Sequence, residues 1–179
     1  MKIYLLRHGQ IEANTKDLLV GSRTDESLDA VGVEQARRVK IDADFDIIVS
    51  SPMKRTLETA RIVNEGLHKE IVVDADIIER DKGDLEGKTD QEVLEATGGK
   101  LNDEILARDL EFDFSPYGGE SAESVRARLN RFIERVKRDY RDKKVLVVTH
   151  QGVIRVLFLM YQNRRPDYSD NCEINILEV

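Results

Sequence analysis

Four short runs along the chain are dominated by apolar residues: Ile3–Leu6, Asp46–Val49, Ile71–Val73 and Val145–Val148. Each is β-branched or leucine-rich, and each gives way to polar residues. Such near-continuous runs suit strands of a parallel sheet covered on both faces. Between them the apolar positions change to helical spacing. Leu28 to Val39 is one such segment, with Val31, Ala36 and Val39 on its inner face. Residues 53–66 form another, with Pro52 in the first turn and Ser51 as the cap. The clearest helix spans 121–141, where Val125, Leu129, Phe132, Ile133, Val136 and Tyr140 make one stripe behind a Ser121 cap. Residues 152–161 are mostly apolar and predict a buried helix, and Glu173–Val179 reads as a last strand that could lie at a sheet edge. Strands alternating with helices imply an α/β layer fold. Residues 82–119 are irregular and glycine-containing, with a helical piece near 90–97. They are expected to form an excursion over the site within a single domain spanning 1–179.

Composition narrows the class. The chain has 179 residues, of which 40% are hydrophobic, so it can bury a sizeable core. No apolar stretch approaches the roughly 20 residues of a membrane span, and the first residues lack a signal-peptide pattern. A cytoplasmic location is expected, and the lone Cys172 fits it, since no internal disulfide can form. The net charge of −7 argues against non-specific nucleic-acid binding, and no membrane partner is expected. A zinc site of His and Cys alone would need nearly all of the three His and one Cys, which include no close pair, and no carboxylate spacing suggests another metal.

Candidate chemistry collects where the strands run out. Ligands of parallel sheets bind beyond the carboxyl ends of the strands. The first run ends in Arg7-His8-Gly9, and the second in Ser50-Ser51-Pro52 with Arg55 one helical turn on. The third is followed by Glu79-Arg80, and the fourth ends in Thr149-His150-Gln151-Gly152. Two of the three His, two Arg and a Glu therefore converge on one edge, while His68 near a helix end does not. These groups suit phosphoryl transfer, in which catalysis consists mainly of positioning and charge neutralisation. Guanidinium forks bind phosphate bidentately. A neutral imidazole can attack phosphorus, and nearby Arg7 and Arg55 favour the neutral form of His8. A protonated Glu79 could supply the proton that a leaving alkoxide needs.

These residues resemble the signature blocks of the histidine phosphatase superfamily, also called the phosphoglycerate mutase-like family. The matching blocks are Arg7-His8-Gly9, Asn14, Leu28-x3-Gly32-x2-Gln35-Ala36 and Ser50-Ser51-Pro52-x2-Arg55-x3-Thr59-Ala60. Further along come Glu79-x3-Gly83-x3-Gly87, Gly118-Gly119-Glu120-Ser121 and Thr149-His150-x-Gly152, all in the family's order. The resemblance implies a three-layer α/β/α sandwich with a mostly parallel sheet. It implies that His8 becomes phosphohistidine, that Arg7, Arg55 and His150 form the phosphate pocket with Asn14 assisting, and that Glu79 protonates the leaving group and later activates water. It implies no metal and no other cofactor. Gln151, Ser22 and Arg23 complete the expected substrate-binding set, the last two because the Gly21–Asp25 loop looks one residue longer than usual and shapes the mouth. Ile11 stands where a hydroxyl residue is common, and Lys82 where an aromatic or apolar residue is common.

Three readings of function follow. The leading one is a metal-independent phosphomonoesterase acting on a small phosphorylated metabolite. The alternative is a cofactor-dependent phosphoglycerate mutase using the same phosphohistidine. The Glu79-Arg80 pair resembles that branch, but the short excursion lacks its paired arginines: Arg108 stands alone among Asp103, Glu104, Asp109, Glu111, Asp113 and Glu120. A third reading, a catalytically dead scaffold, has no support because every core position is filled. Oligomeric state is not legible.

Overall fold

The computed structural model describes residues 1–41, 43–100, 112–164 and 169–179. Five strands form one sheet: β1 (Lys2–Arg7), β2 (Ile47–Ser50), β3 (Ile71–Val73), β4 (Val145–Thr149) and β5 (Ile174–Glu178). Their spatial order is β3-β2-β4-β1-β5, with β5 alone antiparallel, at the edge beside β1. Among the described residues the α-helices are α1 (Glu12–Thr15), α2 (Ala30–Arg37), α3 (Lys54–Asn64), α4 (Asp90–Ala96), α5 (Ala122–Asp139) and α6 (Gln151–Gln162). This is the mostly parallel α/β architecture expected. No described helix is long and apolar enough to cross a membrane.

Alternation along each strand makes the three layers. Ile3, Leu5, Ile47, Val49, Val145 and Val147 point to one face, where α5 and α6 cover them with Leu129, Phe132, Ile133, Ile154 and Leu157. Leu6, Ile48, Leu146 and Val148 point to the other, under Ala60 and Val63 of α3 and under Phe45. Because both faces are covered, the strands carry no polar alternation. Phe132 is fully buried between sheet and helices, so its replacement by alanine would cost about 3–5 kcal/mol. A third, smaller cluster of Leu19, Leu85, Val93 and Phe114 gives the excursion its own apolar footing.

Two local expectations are corrected. Val31 is not on the inner face of α2; it is 52% exposed, and Gly32 takes the buried position beside Ala36. Backbone contact decides this: a Cβ on Gly32 would lie 2.2 Å from the Gln10 carbonyl oxygen, and one on Gly9 would lie 2.5 Å from that of Gly32. Only glycines let α2 approach the end of β1 so closely. Nor is Ser51 the cap of α3, and Pro52 lies ahead of its first turn. The helix begins at Lys54, whose amide donates to Asp25 Oδ1 at 2.8 Å, so the cap comes from the Gly21–Asp25 loop.

Candidate active site

The carboxyl ends of β1, β2 and β4 bring His8, Arg55 and His150 together in a buried cluster. Parallel register sets Arg7 beside Thr149 and Ser50 beside Val148, so the residues that follow emerge at one level. His8 is 4% exposed, and its ring centroid lies 5.3 Å from that of His150, which is fully buried. The backbone of His8 is fixed on both sides: its amide donates to Thr149 O at 3.0 Å, and its carbonyl accepts from Asn171 Nδ2 at 2.9 Å.

Hydrogen-bond partners assign the two imidazoles opposite tautomers. His8 Nδ1 lies 2.7 Å from the carbonyl oxygen of Gly9. A carbonyl only accepts, so Nδ1 carries the hydrogen and Nε2 keeps its lone pair. His150 Nδ1 accepts from Arg55 Nε at 3.3 Å, so its hydrogen is on Nε2, which donates to Ser51 Oγ at 2.8 Å. Both rings are held well below the ordinary histidine pKa. For His8 the causes are burial, then the Arg55 charge, with Arg7 adding to them and the Gly9 hydrogen bond opposing. For His150 they are burial, then Arg55, then His8. Neutral imidazoles beside guanidinium groups are the state a phosphate ester would meet.

Arg55 is fully buried on the first turn of α3. Its guanidinium donates to Thr24 O, and to Gly21 O at 3.2 Å, which draws the mouth loop onto the pocket. Burial lowers its pKa, and Glu79 and Asp25 oppose that shift. Thr59 links it to the first strand, since its hydroxyl donates to Arg55 O at 2.7 Å and accepts from Gly9 N at 3.0 Å. Arg7 Nη1 donates to Ser169 O at 2.6 Å. Glu79, 6% exposed, follows β3; its carboxylate accepts from Arg80 N at 2.9 Å and from Gly152 N at 3.1 Å. That second bond puts Glu79 over the first turn of α6, next to His150.

The remaining expected residues are placed less directly. Gln151 is 7% exposed; its Oε1 accepts from Ser169 N at 3.2 Å, and its Nε2 has no partner among the described residues. Asn14 Oδ1 accepts from Ile11 N at 3.2 Å, closing the turn that starts α1, and the Ile11 side chain is fully buried. Core packing therefore explains an apolar residue at position 11. Ser22 N donates to Arg80 O at 3.2 Å. The Arg23 guanidinium is engaged with Asp81 at 2.9 Å, Asp84 at 3.1 Å and Gly118 O at 2.6 Å. Arg108 and its acidic neighbours between 101 and 111 lie outside the described residues. Ser51 was missed as a site residue, although its place at the end of the second apolar run was the available signal. No group of three His, Cys, Asp or Glu side chains among the described residues is arranged to hold a metal ion.

The profile of the histidine phosphatase superfamily (branch 1) matches residues 3–179. The chain belongs to this superfamily. It is 35% identical over 177 residues to the uncharacterized phosphatase PhoE of Bacillus subtilis, covering 97% of this chain and 83% of that one. It is 33% identical over 167 residues to a 2,3-bisphosphoglycerate-dependent phosphoglycerate mutase of Parvibaculum lavamentivorans, covering 88% and 78%. The fold matches that of a phosphoglycerate mutase from Bacillus anthracis with a TM-score of 0.85 at 24% identity, covering 98% and 86%. The matched range includes every strand end that carries His8, Arg55, Glu79 and His150.

Proposed function

We propose that this protein is a metal-independent phosphatase that hydrolyses a small phosphomonoester through a phosphohistidine on His8. The observation that carries this reading is the tautomer of His8: Nδ1 is tied to the Gly9 carbonyl, which leaves the Nε2 lone pair in a pocket with Arg55. In the first step His8 Nε2 attacks phosphorus as the bond to the ester oxygen breaks. Glu79 gives its proton to that oxygen, and the Gly9 carbonyl stabilises the positive charge developing on the ring. A dianionic substrate beside Glu79 favours the protonated carboxyl that this step needs. In the second step water attacks the phosphohistidine, Glu79 takes the water's proton, and His8 leaves as neutral imidazole. Arg7 and Arg55 neutralise the non-bridging oxygens; the His150 Nε2–H turns from Ser51 Oγ to donate to one of them, with Asn14 and the Gln151 amide as further donors.

The second reading, a phosphoglycerate mutase, is favoured by the 33% identical mutase relative. A mutase must also hold a carboxylate and a second phosphate and must exclude water. Arg23 and Arg80 are the cations a mutase would turn to this task. Arg23 is engaged by Asp81 and Asp84, and Arg80 lies on the Phe114 ring and donates to Glu120 O at 3.2 Å. This supports hydrolysis. The test is turnover of an aryl phosphate in EDTA by wild type and His8→Ala, with interconversion of 3- and 2-phosphoglycerate measured beside it using a bisphosphate primer. Metal-free hydrolysis lost in the variant, with no interconversion, is expected. Turnover that survives the substitution contradicts the mechanism.

A further inference from the structure

Glu79 is asked to meet an ester oxygen from an irregular segment between β3 and the turn at Gly83–Leu85. A carboxylate on a loop is placed only as well as its surroundings hold it. One constraint is Gly152, the second residue of α6, whose amide binds Glu79 Oε2. A Cβ built on Gly152 would lie 2.4 Å from Glu79 Oε1 and 3.3 Å from Oε2. The obstruction is the carboxylate itself, at the far end of a flexible side chain. A methyl group at 152 is therefore accommodated by displacing Glu79, with little demand on the fold.

The second constraint lies behind the loop. Arg128 of α5 is 6% exposed and grips Glu120 with two bonds, Nε to Oε1 at 3.0 Å and Nη2 to Oε2 at 3.1 Å. Its Nη1 donates to Asp76 O at 2.7 Å, ahead of Glu79 in the chain. Glu120 engages Asp81, beyond Glu79, with its Oε2 accepting from Asp81 N at 3.1 Å and its own amide donating to Asp81 O at 2.8 Å. One ion pair thus ties down the chain on both sides of Glu79. Farther along α5, Arg131 and Arg135 hold Asp76, and Arg135 also holds Asp74. A buried Arg–Glu pair adds little net stability once its desolvation is counted, so its distribution of bonds around Glu79 is the informative feature.

We infer that Gly152 and the buried Glu120–Arg128 pair are positioning residues that aim the Glu79 carboxyl at the leaving oxygen. The inference rests on Glu79 being the proton donor proposed above. In the step concerned the His8 Nε2–phosphorus bond forms, the phosphorus–ester oxygen bond breaks, and the Glu79 proton passes to that oxygen. Misplacing the carboxyl then harms a substrate in proportion to its need for that proton. Poor leaving groups suffer, and p-nitrophenolate, which leaves unprotonated, does not.

The experiment measures single-turnover phosphorylation rates, with kcat and KM, over aryl phosphates from phenyl to p-nitrophenyl. It uses wild type, Glu79→Gln, Gly152→Ala, Arg128→Met and Glu120→Gln. Val136→Ala, a cavity on the core face of the same helix that removes none of these polar contacts, controls for lost stability. Glu79→Gln is expected to steepen the dependence on leaving-group acidity. Gly152→Ala should slow phenyl phosphate by about tenfold or more and p-nitrophenyl phosphate by about threefold or less, with KM little changed. Its thermal midpoint should hold or rise, because alanine is the better helix former. The pair variants should steepen the dependence in the same way, and Val136→Ala should not. Glu120→Gln, which keeps the side chain's shape, carries the test if Arg128→Met does not fold. A wild-type slope in Glu79→Gln overturns the reading of Glu79. A steep slope there with wild-type slopes in Gly152→Ala and Glu120→Gln overturns the positioning role.

Discussion

At the floor of the site His8, Arg55 and His150 stand on backbone that the sheet fixes, at 4%, 0% and 0% exposure. At the rim Arg23 and Asp84 hold the mouth loop to the excursion with side chains 44% and 84% exposed. Both regions rely on guanidinium groups, but in different dielectric surroundings. On the floor Arg55 is desolvated, so it shifts the protonation of both histidines, and in the proposed reaction it would act on bound phosphate with little screening. At the rim the charges are hydrated and salt-screened, so they order loops weakly. The proposed chemistry is therefore set by the buried floor, while the exposed Arg23 ion pairs can vary with little effect on the nucleophile.

Removing the floor charge should have the largest effect. Arg55→Met is expected to lower kcat by about 10²–10³-fold, the scale for losing one preorganised donor to transition-state charge. Steady-state kinetics with p-nitrophenyl phosphate checks this. Next in size is the pH response. Histidine NMR should show Nδ1–H in His8, Nε2–H in His150, and both rings neutral below the ordinary value of 6.5. A group with a depressed folded pKa binds fewer protons folded than unfolded, so stability is full above the unfolded value and is lost as pH falls toward the folded one. The thermal midpoint should accordingly drop as pH is lowered from 7 through 6.5, and midpoints at or above 6.5 for either ring would remove the basis for a neutral nucleophile. Arg23→Ala should matter least. We expect its thermal midpoint within about 2 °C of wild type and its phosphorylation rate on a small aryl phosphate within about threefold. Any effect should appear instead as altered KM among larger substrates.

The floor was legible in the sequence because the strands that carry it are apolar on both sides, so each strand end stands out where the run stops. The stripe of α5 was equally plain, and the Ser121 hydroxyl does cap it, accepting from Ser124 N at 3.1 Å. The features that the sequence does not announce depend on contacts between distant segments. Ser51 has the chemistry of a cap, and only the return of β4 beside β2 gives it His150. Arg128 occupies a charged position within a helix that reads as amphipathic, and its burial follows from Glu120 folding back over it. Val31 is apolar, yet the glycine beside it takes the inward position because it allows the closer approach. The four-residue α1 is too short for any periodicity to announce it.

The most direct test of the central claim is to trap the intermediate. Wild type mixed with a ³²P-labelled phosphomonoester in EDTA and quenched in alkali within the first turnover should carry label on His8, located by peptide mapping. That label should be stable to alkali, labile to acid and absent from His8→Ala. Glu79→Gln should accumulate more of it when water activation becomes limiting. Burst-free turnover with no label on His8, or label on another residue, would contradict the account.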